Sequence, residues 1–589
     1  MSQGCMLIAG MMLHMVSAGD AGGTVWNHLP PDVPPALGCW FWHEEDLKDR
    51  HYRDYVDVVA QHTGFTLLTT SLRISQGELT DDVIHDNIVD ASEYARQFGI
   101  GVVMDLDVRL AREAFQRAYP NELQEMLRIR EMPRAAEGDT FLEVTPEPLS
   151  DHYTYKAKPY LPVSSRLVHV YAFARGAEGI APDTVTDISA ACRVAENSEN
   201  KIRIAVPSVA TAQPVVCVCV AFAHLTPDVF APHLLAFQRE LLRRYADAKL
   251  AGACKDEWGF PPCFDGTPAH NDFWYSEPMA AEYRMRTGRD LVRDCLLMYA
   301  GEAGREADRQ GAVNHFMEMN RQRNVEIEGD FYQAVKEVFG ASAMVSTHPT
   351  WYPYCDRREF KKNGLDWWAA RRDYAQTDEV TPFCARTALA KKWNQSVWYN
   401  MFYAPEKREY ETAIWSHALA GGRVNFHPVY PLKEAPGWSM TDLFTGDLMR
   451  GEARIRLLNF ISPAPLDCRV AVVFGHACAM NWAGPAYEDV GLGVVDPLWR
   501  AGYYADLIPS SEIESGALTI DGGNVAYGTQ HYDVVVLYHP EFEKPVTGEF
   551  FRKAAEGQTT LYRVGDWTRD FEGKPFDGNA VLPPGMLAY

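Results

Sequence analysis

Ala251–Pro262 reads AGACKDEWGFPP. Its first half is small and apolar, the composition of a buried strand. Its second half holds two adjacent carboxylates, Asp256 and Glu257, then an indole, Trp258, and a turn through Gly259 to Pro262. A carboxylate pair placed where a buried strand gives way to a loop sits at the margin of the apolar core. Burial and like charge can tune an acid's pKa there. Trp258 adds a flat apolar face of the kind that packs against the C–H side of a pyranose. A surface Asp-Glu pair at a strand end is the plainer reading of the same letters, and the rest of the chain decides between the two.

Working outward, strands are expected upstream at Gly38–Trp42 (GCWFW), Phe65–Arg73 (FTLLTTSLR) and Gly101–Leu110 (GVVMDLDVRL). Tyr52, Tyr55, Val56 and Val59 recur at helical spacing before Gly64, and a second helix is expected over Asp81–Phe98 before Gly99. Downstream, a mostly helical stretch spans Ser276–Gly340. Strands follow at Ala343–Trp351, Tyr374–Cys384, Ser396–Ala404 and Arg423–Tyr430. With the strand that opens Ala251–Pro262, these are eight candidates alternating with loop or helix. The pattern predicts an α/β fold, a (β/α)8 TIM barrel over 36–135 and 226–462. Such a barrel gathers the carboxyl ends of its strands into one ring. Here those ends carry Trp42 with His43, Arg73, Asp107, Asp256 with Glu257 and Trp258, His348 with Trp351, Asp378 with Glu379, Tyr399 with Asn400, and His427.

The rhythm changes over 136–225. HYTYKA, RLVHVYAFA, NKIRIAV and PVVCVCVAF are short and rich in β-branched residues, which predicts an inserted antiparallel module resembling a small β-sandwich. Cys217 and Cys219 alternate with valines and so share one face. A helix over Thr226–Ala248, with Pro227 and Asp228 in its first turn, restores the α/β order. Beyond Pro463 and Pro465 a second α/β unit is expected over 463–589. It is of flavodoxin or amidotransferase type, with strands in RVAVVFG, YDVVVLYHP and TTLYRVG. Its FGHACAMNW turn has neither G-x-G-x-x-G nor a P-loop pattern, and no nucleophile elbow surrounds Cys478.

The length, 589 residues, calls for two or three domains. A net charge of −23 argues against nucleic acid or an anionic membrane as partner, since both require a basic face. Fifteen Trp suit a carbohydrate site as well as a core. The 12 Cys show no zinc spacing, so they read as small buried hydrophobes of a reducing, cytoplasmic protein, and no cofactor or metal is expected. The first 35 residues read as a disordered or signal-like segment. Its apolar run Cys5–Gly19 supports the competing expectation of a secreted or periplasmic protein. No later run approaches the ~18 apolar residues of a membrane span.

KDEWG at the fourth strand, in a barrel followed by an amidotransferase-like domain, resembles the β-galactosidases of glycoside hydrolase family 42 and related barrel glycosidases. The resemblance spans residues 36–589 in architecture. It implies that Glu257 is the general acid/base and that the chain forms a homo-oligomer, a trimer. The family has Asn before that Glu, and here Asp256 stands in its place. The family's nucleophile is a Glu after strand seven. SVWYNMFYA has none at its end, Glu406 comes slightly later, and Asp378–Glu379 instead closes strand six.

The expectation is a glycoside hydrolase acting on an oligo- or polysaccharide through two carboxyls, with retention. Glu257 would be the acid and Glu379 the nucleophile or base, with Asp378 and then Glu406 next in order. Trp42, Trp258, Trp351 and Tyr399 would be sugar platforms, and Asp107, Asp256, Asp378, Asn400, His348 and His427 would bind hydroxyls. Two alternatives stand beside it. One is a metal-dependent hydrolase or isomerase using Asp105, Asp107, Asp256, Glu257, Asp378, Glu379, His348 and His427. The other is a non-catalytic carbohydrate-binding protein.

Overall fold

The computed structural model describes residues 36–62, 65–74, 76–146, 162–258, 272–349, 368–375, 383–394, 397–401, 422–426, 465–481, 484–487 and 489–588. The chain is a mixed α/β protein. Among the described residues eight strands close on themselves in chain order: Ala36–Trp42, Phe65–Leu72, Gly101–Asp105, Gly252–Trp258, Met344–Pro349, Tyr374–Ala375, Val397–Met401 and Gly422–Phe426. Each runs parallel to its neighbours, and the first pairs with the last.

The two faces of these strands pack differently. Leu67, Val103 and Cys254 form a small cluster of their own on the inner face. Leu68, Leu72, Val102, Met104, Ala253 and Val345, one residue out of phase, join the main core with the surrounding helices. Helices Tyr52–His62 and Asp82–Arg96 follow the first two strands. Three more precede the fifth strand, and sequence signals delimit the first two. Ser276 accepts the Met279 N–H at the start of Glu277–Thr287. Gly288, at φ 71°, ends that helix, and Asp290 caps Leu291–Ala300. The third, Glu306–Phe339, is 34 residues long.

The inserted module is two antiparallel sheets sharing one core. Leu142, Val144, Ile202, Ile204 and Val206 come from the smaller sheet, and Val170, Val216, Val218, Val220 and Phe222 from the larger. Cys217 and Cys219 point the other way, into the main core, so Val215–Pro227 is buried on both faces. The larger sheet begins earlier than the expected module, at Leu123. It also takes in Asp272–Tyr275, which lies beyond the fourth barrel strand and pairs with Leu123–Pro133.

Three expected boundaries move. Pro227 closes a strand and Asp228 follows it, instead of the two opening a helix. Asp228 accepts the Phe230 N–H, and this local turn delays the helix to Leu234–Arg244. Leu110 lies in the 3₁₀ turn Val108–Ala111 that Asp107 caps, not in the third strand. Phe383 and Cys384 begin a helix, Phe383–Trp393, whose residues Cys384 to Lys391 are all buried. A helix covered on every side shows no apolar stripe, so its letters resemble a buried strand.

That helix packs against a second parallel sheet, ordered Ala505–Pro509, Val470–Phe474, Val534–Tyr538, Thr560–Val564, Leu587–Ala588. Ion pairs join the helix to this sheet and to the segment that follows the strand Ala505–Pro509. Lys391 Nζ lies 2.5 Å from Asp506, and Lys392 Nζ lies 2.6 Å from Glu512. At Gly528, φ 56°, a Cβ would collide with the Lys391 carbonyl oxygen, so only glycine permits this approach. Cys478 is fully buried in the helix His476–Met480.

Glu543 is buried beside this sheet, accepting from Ser510 Oγ and Thr547 Oγ1 at 2.7 Å each. Burial pushes its carboxyl up to about 7, and burial likewise pushes Asp228 up to about 7. From roughly pH 4 to 7 the folded protein therefore holds protons that the unfolded chain has released. These two groups stabilise the fold below that window, and their contribution is lost as pH rises through it. Urea midpoints across this range are expected to show a smaller decline in Glu543→Gln than in wild type. An unchanged slope would contradict the assignment.

Candidate active site

At the carboxyl end of the barrel the ladder between strands four and five is regular as far as Lys255, which pairs with Thr347. The next pair along the two strands is Trp258 with Pro349. Asp256 and Glu257 therefore stand together opposite His348, a β-bulge with one extra residue in strand four. Bulges bend a strand and re-aim side chains, and they gather near active sites. Asp105, at the end of strand three, pairs with Cys254, two residues before Asp256. By alternation from Val103 it lies on the inner face, as Ser71 does by alternation from Leu67. Ser71 Oγ donates to Asp105 Oδ2 at 2.6 Å, and the Asp107 N–H donates to Oδ1 at 3.1 Å. Ser71 and Asp105, on strands two and three, thus lie on the inner face beside the strand whose backbone carries the bulge at Asp256 and Glu257.

Tyr399 and Asn400 lie near the end of strand seven, paired with Val424 and Asn425 of strand eight. Trp351, Asp378, Glu379, Glu406 and His427 lie outside the described residues.

Two expected sugar contacts turn out to have other roles. Trp42 is fully buried and stacks on Tyr52, ring centroids 5.1 Å apart at 15°. It packs between its strand and the following helix, so it offers no platform at the barrel mouth. Asp107 is also fully buried. Its Oδ1 accepts the Arg109 N–H at 2.9 Å and its Oδ2 accepts Arg109 Nε at 2.7 Å. Both oxygens are engaged in capping and pairing a neighbour, not in waiting for a hydroxyl. Its sequence context could not reveal this, because an Asp after a strand caps a turn as readily as it binds a ligand.

Reading the sequence also missed a buried polar belt on the outer side of the barrel. Lys255, 0% exposed, donates from Nζ to Gln238 Oε1 at 2.5 Å and lies 4.7 Å from the Phe331 ring. Burial pulls its ammonium down to about 8. The carboxylates of Asp107 and Glu328 act against that fall, and Arg109 adds to it. Gln238 Nε2 donates to Asp330 at 2.8 Å. Glu328, 1% exposed, accepts from Thr347 Oγ1 on strand five at 3.1 Å and from Arg372, just before strand six, at 2.7 Å. One signal was available in the sequence: a lysine that directly follows the small apolar run AGAC, before the carboxylate pair.

Among the described residues no group of three or more His, Cys, Asp or Glu is arranged to hold a metal ion, and no helix is long and apolar enough to cross a membrane. The fold of the chain is similar to that of solved structures. No family model and no curated protein sequence matches the chain. A rhamnosidase from Novosphingobium sp. PP1Y superposes with a TM-score of 0.53 at 10% identity, over 93% of this chain and 70% of that one. A β-galactosidase from Rahnella sp. R3 superposes with a TM-score of 0.50 at 10% identity, over 93% of this chain and 73% of that one. At such identity the likeness is one of fold alone.

Proposed function

We propose that the protein is a glycoside hydrolase that cleaves O-glycosidic bonds of an oligo- or polysaccharide. In this reading the closed barrel is a (β/α)8 catalytic barrel distantly related to the family 42 β-galactosidases, and the C-terminal sheet is a flavodoxin- or amidotransferase-like domain. The observation that carries it is the bulge that puts Asp256 and Glu257 together at the carboxyl end of the fourth strand, within a glycosidase-like fold. Carboxyl ends of barrel strands are where such folds place their chemistry.

Glu257 is the general acid, protonating the leaving oxygen. Glu379 is the nucleophile, with Asp378 beside it. Carboxyls ~5 Å apart would form and then hydrolyse a glycosyl-enzyme, with retention. Trp258, Trp351 and Tyr399 supply apolar faces, and Asp256, His348, Asn400 and His427 bind hydroxyls. Ser71 and Asp105 join them as a rim hydrogen-bonded in advance.

The test is hydrolysis of a panel of aryl α- and β-glycosides, with and without EDTA, the anomer of the first product being read by NMR. Turnover that survives EDTA with retained configuration supports the reading, and the active sugar gives the specificity. Loss of turnover in EDTA moves the assignment to a metal-dependent hydrolase. Silence across the panel sinks the glycosidase assignment.

A further inference from the structure

We propose that Lys255 is a positioning residue for the proposed acid. The buried polar belt around it would lock the register of strand four, and with it the phase of the Asp256–Glu257 bulge. This inference rests on the glycosidase reading.

The outward face of a barrel strand is ordinarily seated by apolar side chains. Ala253 and Val345 follow that rule. At the next outward positions the pattern breaks on both neighbouring strands at once, with Lys255 on strand four and its register partner Thr347 on strand five. Both are at least 98% buried, and both are held by helices on the far side of the layer. Lys255 reaches Gln238 of Leu234–Arg244 and Phe331 of Glu306–Phe339. Thr347 reaches Glu328 of that same long helix, which also takes Arg372. Asp330, which holds Gln238, completes the belt. One helix thereby grips strands four and five and the approach to six, at the level where the regular ladder ends and the bulge begins.

Apolar seating would tolerate a slip, because one aliphatic side chain replaces another at small cost. A buried ammonium among carboxylates does not. A slip of strand four by one residue would bring Cys254 or Asp256 to the slot, and neither offers a cation to Asp107 and Glu328. Fixing register is the best-attested use of a buried polar group. Here the fixed register decides where the next two residues, the bulged carboxylates, emerge.

Lys255→Met keeps the length and removes the charge. Its folded state is expected to persist at a cost in stability, since Asp107 keeps Arg109 and Glu328 keeps Thr347 and Arg372 when the ammonium is gone. The expected result is a fall in kcat of about 10²-fold, the scale of an ångström's misplacement, with KM little changed. The groups that face the ammonium are Asp107, Arg109, Glu328 and Asp330. Wild-type kcat is therefore also expected to decline as pH rises through about 8, where Lys255 discharges, and the variant is expected to lack that limb. Gln238→Leu, which leaves the lysine in place and removes its hydrogen-bond partner, provides the kcat readout if Lys255→Met does not fold: a smaller fall in kcat is expected, and kcat at the wild-type level overturns the inference. Turnover at the wild-type level with the alkaline limb intact in Lys255→Met overturns the inference. A wild type silent on every glycoside instead overturns the reading beneath it, and the inference with it.

Discussion

Glu257→Gln is expected to lower kcat by ~10²–10⁴-fold on glycosides with poor leaving groups, the contribution of a positioned general acid. The loss should shrink steadily as the leaving group becomes more acidic, because a dinitrophenolate departs without a proton. Glu379→Gln, by contrast, should lose comparable activity on every substrate, because a nucleophile is needed whatever leaves. The check is kcat against leaving-group pKa for both variants. A uniform loss in Glu257→Gln would give it some other role, and wild-type rates on poor leaving groups would remove it from the chemistry. The amide keeps the size and hydrogen bonding of the carboxyl, so the change isolates the proton.

The second large effect is structural. Asp506 is fully buried and accepts from three donors: Lys391 Nζ at 2.5 Å, Thr387 Oγ1 at 2.5 Å and Tyr532 OH at 2.7 Å. Asp506→Ala strips all three at once and leaves the Lys391 ammonium, itself 98% buried, without its carboxylate. Breaking a buried pair from one side costs about 3–5 kcal/mol, a large fraction of the 5–15 kcal/mol that holds a typical domain. Lys391→Met combined with Asp506→Leu removes both charges together and should recover most of that loss. Urea denaturation of the single and double variants decides the point. If Asp506→Ala unfolds at the wild-type midpoint, the pair does not brace the helix Phe383–Trp393 against the C-terminal sheet.

Much of the architecture was legible in the letters because it follows from local chemistry. The alternation in VVCVCV fixes which side chains share a face, and the structure puts Cys217 and Cys219 in one core and Val216, Val218 and Val220 in another. Ser276, Gly288 and Asp290 punctuate their helices as their side chains and φ preferences require. Asp256 and Glu257 stand out at a strand end because two adjacent acids interrupt an apolar run. These features depend on residues within a few positions of one another.

Other features depend on which partners a side chain acquires on folding, whether near or far along the chain. Trp42 and Asp107 have the composition of ligand-binding residues, yet a tyrosine on the next helix and an arginine two residues on engage them. Lys255 looks like a lone cation in its strand until Gln238, Glu328 and Phe331 are brought around it from two separate helices. The bulge itself is defined by the register of strand five, 91 or 92 residues away along the chain. The sequence by itself therefore determined the α/β class, the alternation of buried faces and the place of the carboxylate pair. Those rest on backbone geometry and on the period of apolar side chains. Only the tertiary structure decided which polar residues are engaged in packing and which stand at the rim. Burial and partnership are properties of the neighbours a side chain acquires on folding, and its own letter does not specify them.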